Sequence, residues 1–328
     1  NLAIISILNM ENKKSVIIAL GGNALSPKNE AGTIQQQFKH TRKSLKGVLH
    51  FVKDNYNICI SHGNGPQVGA EMLRNEISMN KIPPLPLNVL VANTQGAMGY
   101  MIQQSLQNAL YDIKSDREVV SFISQMKVNE KDKSIKKPSK FIGKTYTAKD
   151  AKKLSEKYKW IIKEQEQNQW RRVVPSPNPL YIFNGKSIKH LVDFGTIVIA
   201  GGGGGIPSYN TSKGSLRGLD GVIDKDKTTA LLGRIIRAQE YFIITDVDNI
   251  FLNYNKSNQE RLTKITASEV KKYLDEGHFG IGSMEPKIKS ALYFLKYHGE
   301  KVVITSINNI EKAIRGNAGT HIIRDYSL

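Results

Sequence analysis

The stretch Val16-Ile17-Ile18-Ala19-Leu20-Gly21-Gly22-Asn23 decides the reading of the fold. Its first five residues are apolar without a break and too few for a helix, which predicts a strand buried on both faces. Two glycines follow at once. In an open parallel sheet the carboxyl ends of the strands are where ligands bind, and glycine there lets the backbone come close to them. The same arrangement recurs further along the chain. Asn57 to Ser61 is followed by Gly63-Asn64-Gly65, and Thr196 to Ala200 by the five glycines Gly201 to Gly205. Each loop can turn backbone N–H groups toward an anion, helped by the positive end of the helix behind it. Three such loops after three strands predict an anion site rather than three plain turns.

Helical periodicity fills the intervals. From Thr33 to Asp54 the residues Ile34, Phe38, Leu45, Val48, Leu49 and Val52 recur at three- and four-residue steps and predict one helix. Pro66 suits the first turn of a helix carrying Val68 to Met79. A further helix covers Ala97 to Tyr111, with Met98, Met101, Ile102 and Leu106 on one face as core filling. Additional strands are expected at Glu118 to Ile123, Tyr241 to Thr245 and Lys301 to Thr305. This alternation predicts an α/β protein with a mostly parallel sheet.

A chain of 328 residues holds two average domains or one large α/β domain with an insertion. The rhythm stops near residue 126 and resumes with Val173, which favours the insertion. That segment, 126–172, starts polar and carries one helical stretch around Thr147 to Tyr158. It also holds much of the charge. The whole chain has 47 Lys and Arg against 29 Asp and Glu, a net +18. Between Lys127 and Arg172 there are fifteen Lys and Arg and six Asp and Glu, so half of the excess lies in a seventh of the chain. A nucleic-acid-binding protein is one reading of such a charge. Aromatic residues do not interleave with the lysines as a stacking platform requires, which counts against it; an enzyme with an anionic substrate and a general bias toward lysine are the other two readings. The single cysteine, Cys59, excludes an internal disulfide framework and a four-cysteine metal site, and suits a cytoplasmic protein. No apolar run is long enough for a membrane helix. Residues 1–9 precede Met10 and are expected to be a leader without a convincing targeting signal.

Nucleotide motifs of the common kinds are missing. There is no G-x-x-x-x-G-K-[ST], and the five-glycine run does not give G-x-G-x-x-G because Ile206 takes the last place. Lysines near helix starts are more informative. Asp224-Lys225-Asp226 precedes the apolar helix of Leu231, Leu232, Ile235 and Ile236. Lys287 follows Ser283-Met284-Glu285-Pro286, a second helix entry. Asp246 and Asp248 close a strand, placing carboxylates at the ligand edge of the sheet, and Tyr254 follows nearby.

Together with Ser61-His62-Gly63-Asn64-Gly65-Pro66-Gln67-Val68-Gly69 and Trp170-Arg171-Arg172-Val173-Val174-Pro175-Ser176-Pro177, these motifs resemble the carbamate kinase family from about Lys14 to Arg324. The resemblance implies an open, mainly parallel eight-stranded sheet between helix layers, spanning 10–328, with 126–172 as a protruding subdomain that closes over substrate. It implies a homodimer and the reversible conversion of ADP and carbamoyl phosphate to ATP and carbamate, commonly the last step of arginine fermentation. Magnesium would be carried by the nucleotide rather than by protein ligands.

By the same resemblance, Lys225 and Lys287 flank the transferred phosphoryl group, Lys140 reaches in from the subdomain, and Asp226 holds the lysines. Gly21, Gly22, Asn23, Gly63, Asn64, Gly65, Gly202 and Gly203 would face carbamoyl phosphate. Asp246, Tyr254, Met284 and Lys287 would form the nucleotide side. Such a reaction needs no covalent nucleophile, so positioning and charge neutralisation dominate. The chain departs from the family pattern at Glu285, where glycine is usual, at Lys144, where proline is usual, and at Asn93-Thr94 in place of Met-Ser. A sibling kinase of the same fold with another small acid as substrate is the nearest alternative.

Overall fold

A computed structural model describes residues 13–26, 30–280 and 283–325; the expected leader, 1–9, lies outside them. Eight strands form one large sheet. In chain order they are β1 (Ser15–Leu20), β2 (Asn57–His62), β3 (Val119–Ser121), β4 (Ile197–Ile199), β5 (Glu240–Thr245), β6 (Lys264–Thr266), β7 (Lys301–Ser306) and β8 (Thr320–Ile323). Across the sheet the order is β6-β8-β7-β5-β1-β2-β4-β3. All pairings between these strands are parallel except that of β7 with β8.

The quoted stretch lies at the middle of this sheet. All six residues of β1 are buried, and their side chains alternate between two cores, as a strand's period of two requires. Ile17 and Ala19 join a cluster with Leu232, Ile288, Ala291 and Phe294. These come from the helices Lys225–Ile235 and Met284–Lys296. Val16, Ile18 and Leu20 join the opposite cluster with Phe51, Met98, Ile102 and Leu106, from Val48–Lys53 and Leu87–Asp112. The sheet is therefore covered on both faces. Met98 and Met101 are 1% and 3% exposed, in the core as expected. Cys59 is fully buried within β2, and burial pushes its thiol pKa up to about 12.

The helix expected from Thr33 to Asp54 is broken in two, Ile34–Leu45 and Val48–Lys53. The break falls at Gly47, where a Cβ would lie 2.3 Å from Ile310 Cδ1. Packing on Ile310 leaves room there only for glycine, whose low helix propensity weakens the run at that point. The helix expected at Ala97 starts earlier, at Leu87.

Within 126–172, Thr147 caps the helix Ala148–Tyr158 by accepting from the Asp150 N–H. The segment also contributes to a three-stranded antiparallel sheet, Lys140–Tyr146, Ile162–Glu166 and Gln169–Val174. That sheet was not legible in its polar sequence. The preceding strand, Gln125–Lys127, pairs instead with Ile206–Asn210, part of the main body.

Candidate active site

The parallel strands β1, β2, β4 and β5 end on one edge, and their loops open into a cleft of about 1400 Å³. After β1, Gly21 precedes the short helix Gly22–Leu25. After β2, Asn64 is the N-cap of the helix Gly65–Ser78, with Pro66 in its first turn. After β4, the glycine run takes left-handed φ values at Gly201, Gly203, Gly204 and Gly205, a conformation that side chains other than glycine's resist. Hydrogen bonds fix this run from outside. Ser124 Oγ accepts from the Gly201 N–H at 3.0 Å, and Thr228 Oγ1 donates to the Gly204 carbonyl at 2.7 Å.

At the centre of the cleft, two aspartates hold three lysines. Asp224 caps the helix Lys225–Ile235, its Oδ1 accepting from the Asp226 N–H at 2.9 Å. Its other oxygen accepts from Lys140 Nζ at 2.5 Å. Asp226 is 3% exposed and bridges the other two lysines. Lys225 Nζ donates to its Oδ1 at 2.6 Å and Lys287 Nζ to its Oδ2 at 3.1 Å. Three ammonium groups against two carboxylates leave one positive charge in excess, next to the N-termini of two helices. Burial opposes the ionisation of Asp226, but Lys225 and Lys287 outweigh it and hold its pKa well below the usual carboxylate range. Burial lowers the pKa of Lys225, against the pull of Asp226. At Lys287 the balance is reversed, and the aspartates raise the pKa despite burial.

The glycines divide by geometry. The Gly21 and Gly63 N–H groups are used by the sheet, donating to the Ile244 and Leu20 carbonyls at 2.9 and 2.8 Å. Their part in the cleft wall is close backbone approach: a Cβ on Gly63 would lie 2.8 Å from the Gly22 nitrogen. Gly22 and Gly65 open helices, where first-turn amides lack an intrahelical acceptor. Gly203 packs on the Asn64 amide, where a Cβ would come within 2.2 Å of Nδ2. Asn64 Nδ2 in turn donates to Thr94 Oγ1 at 2.9 Å, and Thr94 donates to the Val91 carbonyl at 2.7 Å. Thr94 therefore retains the hydroxyl of the serine it replaces. Gly202 does not line the cleft; it sits behind, against the His62 ring. Asn23 belongs to the helix after β1, and its side chain lies outside the described residues.

His62 is buried at the end of β2, its Nδ1 donating to the Gly63 carbonyl at 3.1 Å. Burial lowers its pKa to about 4. A neutral imidazole then stabilises the fold fully above the unfolded value near 6.5, and this contribution is lost as pH falls from there to about 4. The shift is worth on the order of 3 kcal/mol. Acid titration of unfolding is expected to lose that slope in His62→Gln; an unchanged slope would assign the acid sensitivity elsewhere.

Asp246, Tyr254 and Met284, expected from the sequence to border a nucleotide, line the same cleft. Thr245 Oγ1 donates to Asp246 Oδ1 at 3.0 Å, and Phe251, absent from the sequence reading, stands 6.0 Å from the Tyr254 ring. Lys144 places its ammonium 5.3 Å from the Tyr146 ring centre. Glu285 is not part of the cleft lining and pairs with Lys289 one turn along its helix. Glu285→Gly is therefore expected to change turnover less than twofold, which steady-state kinetics would check. Among the described residues, no group of three or more His, Cys, Asp or Glu is placed to hold a metal ion.

Residues 14–306 match the amino acid kinase family. The chain belongs to that family, in its carbamate kinase branch. It is 39% identical over 309 residues to the carbamate kinase of Pyrococcus horikoshii, covering 94% of this chain and 98% of that one. Against a carbamate kinase of Staphylococcus epidermidis the identity is 40% over 312 residues, covering 94% and 99%. The solved carbamate kinase of Giardia lamblia bound to AMP-PNP superimposes with a TM-score of 0.87 at 37% identity, over 96% of this chain and 99% of that one. The eight-stranded sheet between helix layers is thus the family fold.

Proposed function

We propose that the chain is a carbamate kinase, transferring a phosphoryl group reversibly between carbamoyl phosphate and ADP to give ATP and carbamate. The observation that carries this reading is Asp226 bridging Lys225 and Lys287 beneath the glycine loops, with Lys140 held beside it. A β-phosphate oxygen of ADP attacks phosphorus, the bond to the carbamoyl oxygen breaks, and carbamate leaves with that oxygen. Charge moves from one oxygen to another through the transferred group, so cations fixed around it do most of the work. Lys225 and Lys287 flank that group, while Asp226 keeps both ammonium groups in place before substrate arrives. Lys140 covers the site from the side of the insertion.

Gly22, Asn23, Gly65 and Gly203 offer backbone toward carbamoyl phosphate, with Gly21, Gly63 and Gly202 giving room and support and Asn64 its amide. Asp246, Tyr254 and Met284 border the nucleotide. Magnesium fits as a companion of the nucleotide phosphates, since Asp224 and Asp226 are both occupied by lysines; there it would neutralise phosphate charge. The segment 126–172 serves as the lid of a single domain. The active form is a homodimer, and arginine fermentation is its metabolic setting. Among the described residues no helix is long and apolar enough to cross a membrane.

The decisive assay is ATP formation from ADP, magnesium and carbamoyl phosphate, with acetyl phosphate as control. Rapid turnover with the first and little with the second is the expected result. Faster turnover with another small acid in the ATP-consuming direction would point to a sibling kinase.

A further inference from the structure

The strand Lys140–Tyr146 and the helix Gly65–Ser78 meet glycine against glycine. A Cβ built on Gly69 would lie 2.1 Å from Gly143 Cα and 2.7 Å from its nitrogen, where carbon atoms in contact keep ~3.5–4.0 Å apart. The obstruction is backbone, so no rotamer change relieves it. On the strand, Gly143 has φ +72° and falls where the pairing register shifts between Ile142 and Tyr146. Such an irregularity bends a strand and re-aims its side chains. The adjacent Ile142 is 1% exposed and packs with Val68 and Met72 of the same helix. Three residues before Gly143, a distance of roughly 10 Å along the strand, stands Lys140 with its hydrogen bond to Asp224.

We infer that Gly69 is a positioning residue, setting the height at which the lid strand seats and hence whether Lys140 reaches the reaction centre. The inference rests on the carbamate kinase reading and adds to it a residue remote from the three lysines. The helix that carries the Gly63-Asn64-Gly65 loop at its start carries the lid's seat one turn later. Both halves of the site are thereby referred to one rigid element. A side chain at position 69 lifts the strand by about 1 Å or more to restore ordinary contact. Misplacement of that size costs up to ~10²-fold in rate.

The chain's two tryptophans, Trp160 and Trp170, both lie in the lid segment, so intrinsic tryptophan emission reports on the lid alone. Gly69→Ala is expected to lower kcat ten- to a hundredfold and to shift this emission, with a cooperative melting transition retained. In a Lys140→Ala background the same substitution is expected to lower kcat less than twofold, because the lysine it positions is already gone. Gly143→Ala disturbs the same seat from the lid side through its left-handed φ of +72°, its Cβ meeting Gly69 Cα at an ordinary 3.5 Å, and decides on the same criteria if Gly69→Ala does not fold. Equal losses in both backgrounds, or activity within twofold of the parent, would overturn the inference. Absence of turnover in the unmodified protein would instead sink the proposed reaction. The emission of Gly69→Ala would then decide alone, an unshifted spectrum overturning the role of the contact.

Discussion

Lys287→Ala and Lys225→Ala are each expected to slow ATP formation by ~10³–10⁵-fold, on the order of 4–7 kcal/mol of transition-state stabilisation, as for other cations set against a transferring phosphoryl group. The two ammonium groups are fixed by one buried carboxylate before substrate binds. In the proposed roles their charge needs little reorganisation as the phosphoryl group moves, which makes preorganised cations effective. The loss should fall mainly on kcat, since a substrate anion still meets the remaining lysines and the helix ends. Single-turnover measurements with ADP and carbamoyl phosphate would check this. A loss below tenfold from a folded variant would remove that lysine from the mechanism.

Asp226→Ala should damage the fold as well as the chemistry. The substitution leaves Lys225 and Lys287 facing each other, 12% and 17% exposed, without their shared counter-ion. Removing one partner from a buried ionic cluster typically costs ~3–5 kcal/mol. Denaturant unfolding at neutral pH should show a loss of that size, and turnover should fall with it. The sign of the pH dependence follows from the depressed carboxylate. Its stabilisation is present above the unfolded value near 3.9 and is lost as pH falls through the lower folded value. The deficit of the variant should thus be steady from about pH 5 to pH 8 and narrow only in stronger acid. A deficit that vanished near neutrality would show that Asp226 is not ionised in the folded protein.

Short-range signals carried much of this site. The run Val16 to Leu20, the glycines behind three strands and the lysines at two helix entries could be read directly, because burial, turn chemistry and capping act over a few residues. The cap at Asp224 was within reach of the same logic. Its second oxygen was not, because Lys140 lies 84 positions away in the chain. The Thr94 hydroxyl behind Asn64 and the Ser124 hydroxyl under Gly201 are likewise long-range contacts. The three-stranded sheet within 126–172 escaped for another reason. Of its strand residues only Ile142, Val173 and Val174 are buried, so no apolar alternation marks them.

The strand order has a consequence for biosynthesis. β1 leaves the ribosome long before one of its two neighbours, β5, which begins at Glu240. At elongation rates of ~5–20 residues per second, roughly 10–45 s separate the two. During that interval β1 can pair with β2, but its other edge, built from Val16, Ile17 and Ile18, has no native partner. A nascent chain of this topology must keep an apolar strand edge shielded until β5 has been translated.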